Sequence, residues 1–282
     1  MKLLAIVGYP LGHTMSPVMH NAALKEMRLE SEFHYEQRPV RVRELSNLVS
    51  QIREGTLEGA NITVPYKTVI MEYLSAVTDE GLAAGSVNTL YREGGKVIGH
   101  NTDVKGFEEA LEERNVAVRG LRATILGAGG AARAVALALA EEGIERLAIL
   151  NRTRSNALKL AESLGHNESL EVFIGPISTA RNALEESDIL INCTPIGMHG
   201  HSAEESPVDG VALPRDLIVM DLVYNPLRTR LLKDAEESGC KTIDGTGMLV
   251  HQGAEALRIW TGKRAPVEVM RNAVLSALEV GR

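Results

Sequence analysis

The chain has 282 residues, which is enough for one large domain or two modest ones, each with its own core. Apolar residues make up 44% and charged residues 24%, an ordinary balance for a globular protein. A formal net charge of −7 argues against nucleic acid or an anionic membrane surface as the main partner. No apolar run is long enough for a membrane span. Only Cys193 and Cys240 are present, which predicts a cytoplasmic protein without a disulfide framework.

Short β-rich runs alternate with longer helical patterns along the whole chain, which predicts a parallel α/β architecture. In chain order, the predicted strands are Leu3–Val7, Glu32–Gln37, Ala60–Thr63, Val87–Tyr91, Lys96–Gly99, Ala123–Leu126, Leu147–Leu150, Ile189–Asn192, Leu217–Asp221 and Lys241–Ile243. The predicted helices are 17–28, 41–53, 104–114, 130–142, 155–164, 228–238, 247–260 and 267–280.

The segment Ala123–Ala132 reads as a strand, a tight turn and a helix start, and it fits the pattern G-x-G-x-x-A. Gly127 permits the turn, Gly129 lets the backbone approach a pyrophosphate, and Ala132 allows close packing of helix on strand. The anion would lie at the helix N-terminus, where free N–H groups favour it. The pattern predicts dinucleotide binding; a merely tight turn is the alternative. The residues expected at this loop are Gly127, Ala128, Gly129, Gly130 and Ala131.

The end of the next predicted strand bears on which dinucleotide binds. An NAD site usually has an acidic residue here, for the ribose 2′-hydroxyl. This chain instead has two guanidinium groups and several small polar groups, which suit a 2′-phosphate and favour NADP. The alternative is a pair of solvated arginines, although a helix N-terminus is electrostatically poor for cations. The residues in question are Asn151, Arg152, Thr153, Arg154, Ser155 and Asn156.

Lys67 is the candidate for proton transfer, because lysine exchanges a proton readily once its surroundings adjust its acidity. Asp103 is the carboxylate expected to stabilise and direct its ammonium group. The plain alternative for Asp103 is capping of the helix predicted at 104–114. Thr14 and Ser16 precede a helix and suit a substrate carboxylate; simple N-capping by Ser16, with Pro17 as first helical residue, is their alternative.

Thr63, Asn88 and Gln252 would add neutral donors and acceptors for a polyhydroxylated ring. A second series of strands and helices begins at Leu121, which places a domain boundary near residue 103. The polar face of Met248–Gly253 suits the lining of a cleft, so the last two helices are expected to return to the first domain. We therefore predict a discontinuous substrate-binding, catalytic domain of residues 1–103 and 247–282, and an NADP-binding domain of residues 104–246.

Together with the glycine loop, these segments resemble the shikimate dehydrogenase family over nearly the whole chain. The motifs that carry the resemblance lie, in the order in which the family has them, at 8–21, 61–67, 85–89, 99–106, 127–132, 192–198, 221–226 and 248–253. The resemblance implies an α/β fold with an open, mostly parallel substrate-binding domain and a Rossmann-type doubly wound nucleotide domain. It also implies an oxidoreductase that reduces 3-dehydroshikimate to shikimate with NADPH, in chorismate and aromatic amino acid biosynthesis.

The resemblance implies Lys67 as the acid/base and Asp103 as its partner. The residues implied to hold the substrate are Thr14, Ser16, Thr63, Asn88, Asp103, Tyr224 and Gln252. Beyond the two cofactor segments already described, it implies cofactor contacts from Leu222, Gly245 and Met248. This chain departs from the family where it has Thr14, since a serine is usual there, and where it has Asn156, since relatives that prefer NADP often have an arginine.

Other interpretations stay open at this point. One is a quinate/shikimate dehydrogenase with broader substrate or NAD use, and another is a non-catalytic NADP-sensing protein. No metal is expected, because the pair His199 and His201 has no third ligand nearby. The expected partner is a small-molecule substrate, and an exposed sheet edge leaves a homodimer open.

Overall fold

The structure is a computed structural model that describes residues 1–12, 14–165, 169–200 and 202–280. The chain divides into two compact units. Unit 1 comprises Met1–Gly106 and the chain from Val250 onward, and unit 2 comprises Phe107–Leu249. In the described parts of the chain, no helix has both the length and the apolar character needed to cross a bilayer.

Unit 1 is built on a six-stranded mixed sheet with the order β2-β1-β3-β5-β6-β4. Its strands are β1 (Lys2–Gly8), β2 (Phe33–Pro39), β3 (Gly59–Ile62), β4 (Ala76–Val77), β5 (Thr89–Glu93) and β6 (Lys96–His100). The helices that start in the first segment of unit 1 are α1 (Ser16–Glu26), α2 (Leu45–Glu54), α3 (Asp79–Ala84) and α4 (Asp103–Glu113). Helix α9 (Thr246–Thr261) enters this unit at Val250, and α10 (Val267–Val280) completes it.

Strand directions in unit 1 gather several loops at one edge of the sheet. β1 and β3 are parallel, whereas β5 is antiparallel to both β3 and β6. The carboxyl ends of β1, β3 and β6 and the start of β5 therefore share an edge, with Asn61 opposite Thr89 and Thr89 opposite His100. The loops that leave this edge contain the motifs at 8–21, 61–67 and 99–106.

The core of unit 1 lies between this sheet and helix α2. Leu45, Leu48, Val49 and Ile52 recur at helical spacing on α2, and all are at most 3% exposed. They pack with residues of β1, β3 and β5 such as Leu90. Burial of each aliphatic side chain of this size stabilises the folded state by about 1.5–3 kcal/mol. The packing of α2 therefore stabilises the sheet from which the loops of the motifs extend.

Unit 2 is built on a six-stranded parallel sheet with the order β12-β11-β10-β7-β8-β9. Its strands are β7 (Arg122–Leu126), β8 (Arg146–Leu150), β9 (Glu171–Gly175), β10 (Ile189–Asn192), β11 (Ile218–Asp221) and β12 (Lys241–Ile243). The helices wholly within it are α5 (Gly130–Glu142), α6 (Arg154–Ser163), α7 (Ala180–Glu185) and α8 (Arg230–Glu237).

This strand order is that of the doubly wound dinucleotide-binding fold, counted from the first strand of the unit. The order reverses between β7 and β10, and ligands of such sheets bind beyond the carboxyl ends of the strands at that point. The α/β fold class predicted from the sequence, with its Rossmann-type nucleotide domain, is confirmed.

The sequence pattern misses two short strands, β4 and β9, and two short α-helices, α3 and α7. β9 alternates exposed and half-buried residues, and α7 has only six residues. Short segments of this kind bury too little apolar surface to show a clear periodicity, so their pairing with longer neighbours decides their conformation.

Candidate active site

Lys67 and Asp103 form an ion pair at the sheet edge of unit 1. The Lys67 Nζ atom lies 2.5 Å from Asp103 Oδ2 and donates a hydrogen bond to it. The side chain of Lys67 is 15% exposed and that of Asp103 only 4%. Because the pair is largely removed from water, the short hydrogen bond to the carboxylate fixes the direction of the Lys67 Nζ group. Lys67 still reaches solvent, so a ligand can approach it.

The cap of helix α4 is not supplied by Asp103. Asn101 accepts hydrogen bonds at its Oδ1 atom from the backbone N–H groups of Asp103, at 2.9 Å, and Val104, at 3.3 Å. The Asn101 amide also donates to the backbone carbonyl and hydroxyl of Ser86, each at 2.9 Å. The capping interpretation of Asp103 is therefore wrong, because the side chain two residues earlier satisfies the helix start and leaves the Asp103 carboxylate to Lys67.

Asn88 links the ion pair to a second part of the site. Its Nδ2 atom donates to Asp103 Oδ1 at 2.8 Å, and it lies 3.3 Å from Gln252 Oε1. The Asn88 Oδ1 atom accepts from the backbone N–H of Thr102 at 2.7 Å. Both oxygens of the Asp103 carboxylate are thus engaged, one by Lys67 and one by Asn88. Four residues singled out from the sequence, far apart along the chain, come together here.

Thr14 and Ser16 lie just before and at the start of α1. Met15 occupies the N-cap position and Pro17 is the second residue of the helix, so Ser16 is not its N-cap. The N-capping alternative for Ser16 is wrong for this reason. Thr14 Oγ1 accepts from the Ser16 backbone N–H and donates to Ser16 Oγ, both at 3.2 Å. Two hydroxyls therefore lie together beside the start of a helix, where an anion is favoured.

The other residues expected to hold substrate are divided between the units. Thr63 directly follows β3, and its backbone N–H donates to the backbone carbonyl of Val7 at 2.8 Å. Gly8 faces it so closely that a Cβ atom there would lie 2.7 Å from Thr63 Cγ2. Tyr224 is half-buried and lies in unit 2, three residues after β11.

Some residues of the unit 1 network carry no role in the sequence analysis. Asn61 is 5% exposed; its Nδ2 donates to the Asn88 carbonyl at 3.2 Å and Thr89 Oγ1 at 3.1 Å. Thr102 is fully buried and lies between Asn88 and Thr89. The available signal was their presence inside the motifs at 61–67 and 99–106, as polar residues at or next to strand ends.

The glycine loop of unit 2 has the geometry of a phosphate cradle. Gly127 has φ +103°, and a Cβ there would lie 3.2 Å from the Cys193 carbonyl oxygen, which explains the need for glycine. Gly129 is the N-cap of α5 and offers no side chain to that helix start. Within the described residues, nothing lies within 4 Å of the position a Gly129 Cβ would take. An open helix N-terminus with bare backbone fits a pyrophosphate.

The arginine-containing turn follows the next strand, β8. Asn151 donates to the Thr153 carbonyl at 2.8 Å and shapes the turn that precedes α6. Residues 152–156 are exposed. In the part of the chain that the structure describes, neither Arg152 nor Arg154 has an ion-pair partner. Two unpaired guanidinium groups at this strand end fit a phosphate.

The loops after β10 and β11 are joined by a buried carboxylate. Asp221 accepts from Asn192 Nδ2 at 2.9 Å, the Val223 N–H at 3.0 Å and Thr229 Oγ1 at 2.7 Å. Burial raises the pKa of Asp221 to about 6, and these three hydrogen bonds oppose the rise. Three donors on one carboxylate fix the chain around Leu222, one of the residues expected at the cofactor.

Gly245 brings the end of β12 against the same loop. A Cβ at Gly245 would lie 2.6 Å from the carbonyl carbon of Leu222, so a larger residue would force the two segments apart. Met248 follows on α9 and is 6% exposed. All the residues of unit 2 expected at the cofactor thus lie at or just beyond the carboxyl ends of β7, β8, β11 and β12.

The described residues contain no group of three His, Cys, Asp or Glu side chains arranged to hold a metal ion. Of the histidine pair considered in the sequence, His201 lies outside the described residues.

A doubly wound dinucleotide-binding unit and a second unit with a lysine–carboxylate pair define the class of nicotinamide-dependent oxidoreductases. Three family models match the chain: the shikimate dehydrogenase substrate binding domain over residues 6–90, shikimate / quinate 5-dehydrogenase over 109–218, and the shikimate 5'-dehydrogenase C-terminal domain over 245–275.

Curated and solved proteins agree with these matches. Shikimate dehydrogenase (NADP(+)) of Symbiobacterium thermophilum is 44% identical over 99% of this chain and 95% of its own length. A crystal structure of shikimate dehydrogenase in complex with NADP+ is 40% identical, covers 99% of this chain and 96% of that one, and has a TM-score of 0.91. The enzyme from Thermus thermophilus, solved with NADP(H) and shikimate, is 37% identical over 98% of this chain and 100% of its own, with a TM-score of 0.86. This chain belongs to the shikimate dehydrogenase family, and the resemblance found in the sequence is confirmed.

Proposed function

We propose that this protein is an NADP-dependent oxidoreductase that reversibly reduces 3-dehydroshikimate to shikimate, a step of chorismate and aromatic amino acid biosynthesis. The observation that carries the proposal is the Lys67–Asp103 ion pair, with Asn88 on the second oxygen of the carboxylate. Family membership supports the choice of substrate and cofactor.

Lys67 is the acid and base of the proposed reaction. NADPH, when bound, supplies the hydride for the carbonyl carbon of the substrate. In that direction Lys67 Nζ hydrogen-bonds the carbonyl oxygen and transfers a proton to it, which completes the hydroxyl group. In the oxidation direction the neutral amine accepts the hydroxyl proton. Asp103 holds the ammonium group toward the substrate through its 2.5 Å hydrogen bond and stabilises its charge.

The remaining side chains of unit 1 orient the substrate in this proposal. The hydroxyls of Thr14 and Ser16 donate to the substrate carboxylate beside the start of α1. Asn88, Asp103 and Gln252 form one connected polar cluster that suits ring hydroxyls, because it offers both donors and acceptors. The two further residues assigned to the substrate are Thr63 and Tyr224.

The cofactor residues proposed in unit 2 are supported by local structure. The bare N-terminus of α5 suits the pyrophosphate of NADP, from Gly127 to Ala131. The turn from Asn151 to Asn156 suits the 2′-phosphate, since Arg152 and Arg154 are exposed there and guanidinium groups match phosphate geometry. The loops that Asp221 and Gly245 hold in place present Leu222, Gly245 and Met248 to the rest of the cofactor.

Cellular location and assembly belong to the same proposal. The free thiols of Cys193 and Cys240 support a reducing, cytoplasmic location. Strand β2 is the outermost strand on one side of the unit 1 sheet, which supports a homodimer formed by pairing of β2 with the same strand of a second copy. Sedimentation of the purified protein would separate a dimer from a monomer.

The proposal is tested by following the absorbance of the reduced cofactor with shikimate and with quinate, each with NADP+ and with NAD+. We expect the highest kcat/KM for shikimate with NADP+. A preference for quinate or for NAD+ would favour a quinate/shikimate dehydrogenase, an alternative kept open by Thr14 in place of the usual serine. Binding of NADP+ without turnover of either substrate would identify a non-catalytic binding protein and refute the proposed activity.

A further inference from the structure

The buried hydroxyl of Tyr35 lies behind the unit 1 site. Tyr35 is 1% exposed, and its hydroxyl donates to Asn61 Oδ1 at 2.7 Å. Asn61 in turn leads to the Lys67–Asp103 pair through Asn88. The phenol therefore contacts the network of the site without any role so far assigned.

The ring of Tyr35 is held firmly in place. It stacks on His20 with ring centroids 4.0 Å apart and an interplanar angle of 5°, and Trp260 lies at a tilt 6.1 Å away. Both backbone polar groups of Tyr35 are bonded to the Asn21 amide, at 2.8 and 3.0 Å. A phenol fixed by a stack and a backbone clamp can orient a neighbouring amide, because its own rotation would break several contacts at once.

The Tyr35 hydroxyl anchors the Asn61 amide, whose orientation is fixed on the opposite side. The Nδ2 group of Asn61 donates to the Asn88 carbonyl and Thr89 Oγ1, and Oδ1 then accepts from the phenol. Thr89 Oγ1 in turn donates to Asn88 Oδ1 at 3.1 Å. The Asn88 side chain then donates to Asp103 at 2.8 Å. A reversed Asn61 amide would place its oxygen against the Asn88 carbonyl, which removes that bond, whereas the phenol can accept from an NH₂ group as well as donate to an oxygen.

We propose that Tyr35 is a positioning residue, whose hydroxyl holds Asn61 in place and, through Asn88, the Asp103 carboxylate that directs Lys67. The inference rests on the proposed function, since it concerns the residues assigned to substrate and proton transfer. Tyr35 itself touches neither the substrate nor the reacting atoms.

The first measurement compares Tyr35→Phe with wild type and with Tyr91→Phe. The phenylalanine ring would keep the stack on His20, so only the hydroxyl is lost; Tyr91 is a partly exposed tyrosine on β5 that takes no part in these bonds. We expect Tyr35→Phe to lower kcat about tenfold, because small misplacements of catalytic groups are costly, with the KM for NADP+ unchanged. Tyr91→Phe is expected to behave like wild type.

The second measurement is a double-mutant cycle with Asn61→Ala, scored on kcat and, separately, on shikimate affinity by calorimetry. If Tyr35 acts through Asn61, then Tyr35→Phe has little further effect once Asn61 is alanine. A purely structural role of the ring would leave the two effects additive, and additivity overturns the inference.

The two proposals fail in different ways in this experiment. A wild-type protein that neither binds nor turns over shikimate refutes the proposed function and this inference with it. An active wild-type protein whose Tyr35→Phe variant matches Tyr91→Phe in kcat refutes the inference alone. Urea unfolding of each variant shows that the compared proteins are folded.

Discussion

Asn101 and Asp103 have separate roles at the start of helix α4: the first caps the helix and the second pairs with Lys67. The Asn101 side chain accepts the N–H groups of Asp103 and Val104, so the Asp103 carboxylate is spared from capping and pairs with Lys67. In sequence, an aspartate at a helix start is most simply explained as a cap. A carboxylate that is released from that role by a neighbouring amide is available for chemistry.

Replacement of Asn101 by alanine tests this division. Asn101→Ala removes the cap and two buried hydrogen bonds to Ser86, so we expect the free energy of unfolding to fall by about 1–3 kcal/mol. We also expect kcat to fall, because Asp103 then competes for its own helix start. Urea unfolding and turnover with shikimate are the measurements. Asn47→Ala, at an exposed position on α2, is the control and should change neither.

Replacement of Lys67 tests the proposed acid and base. Lys67→Ala should keep the fold and the affinity for shikimate within a few-fold, yet lose kcat by about 10²–10⁴-fold, the usual contribution of a positioned proton donor. Lys2→Ala removes another lysine that pairs with a carboxylate, Glu58 at 2.9 Å, but whose side chain is 54% exposed. This control should keep full activity. A Lys67→Ala protein with normal turnover would contradict the mechanism.

Cofactor preference is expected to depend on Arg152. Arg152→Ala should raise the KM for NADP+ about tenfold, equivalent to about 1.4 kcal/mol, with little change in the KM for NAD+, since only NADP+ has the 2′-phosphate. Arg181, an exposed arginine of α7, offers a matched control that should leave both values unchanged. If Arg152→Ala raised both KM values equally, the arginine would serve some other part of the dinucleotide.

The pH dependence of stability should carry a signature of His20. This side chain is fully buried; its Nδ1 atom lies 2.8 Å from the Ser16 carbonyl, and burial lowers the pKa of His20 from 6.5 to about 4. Between these values the unfolded chain binds the proton and the folded chain does not. The stabilisation is therefore fully present above pH 6.5 and is lost as the pH falls toward 4. The full loss in the free energy of unfolding that this pKa difference produces is of the order of 3 kcal/mol.

His20→Asn checks this window, because an asparagine amide can still donate to the Ser16 carbonyl but does not titrate. We expect the wild-type free energy of unfolding to fall more steeply than that of the variant as the pH is lowered from about 7 to about 4.5. The raised pKa of Asp221 acts in the opposite direction and is common to both proteins, so it cancels in the difference. Parallel pH profiles would show that the pKa of His20 is the same in the folded and unfolded protein.

Local patterns were sufficient for some features of this protein. The strand–turn–helix at 123–132 predicts a dinucleotide loop, and the need for glycine at Gly127 follows from its left-handed backbone conformation alone. The same reasoning left capping open as an alternative for Ser16 and Asp103, and that alternative is wrong for both. A cap depends on which residue lies at the helix start and which side chain reaches it. Met15 occupies the N-cap position of α1, and the Asn101 side chain caps α4; the local pattern indicates neither.

The alternation of strands and helices, the nucleotide loop and the family could all be predicted from the chain alone, because periodicity and motif spacing are properties of contiguous residues. The meeting of Lys67, Asn88, Asp103 and Gln252, with Tyr35 and Asn61 behind them, became visible only in three dimensions. The order and direction of the strands determine which loops lie at the same edge of the sheet. The buried polar side chains of those loops must then hydrogen-bond one another, and these contacts determine how each side chain is oriented.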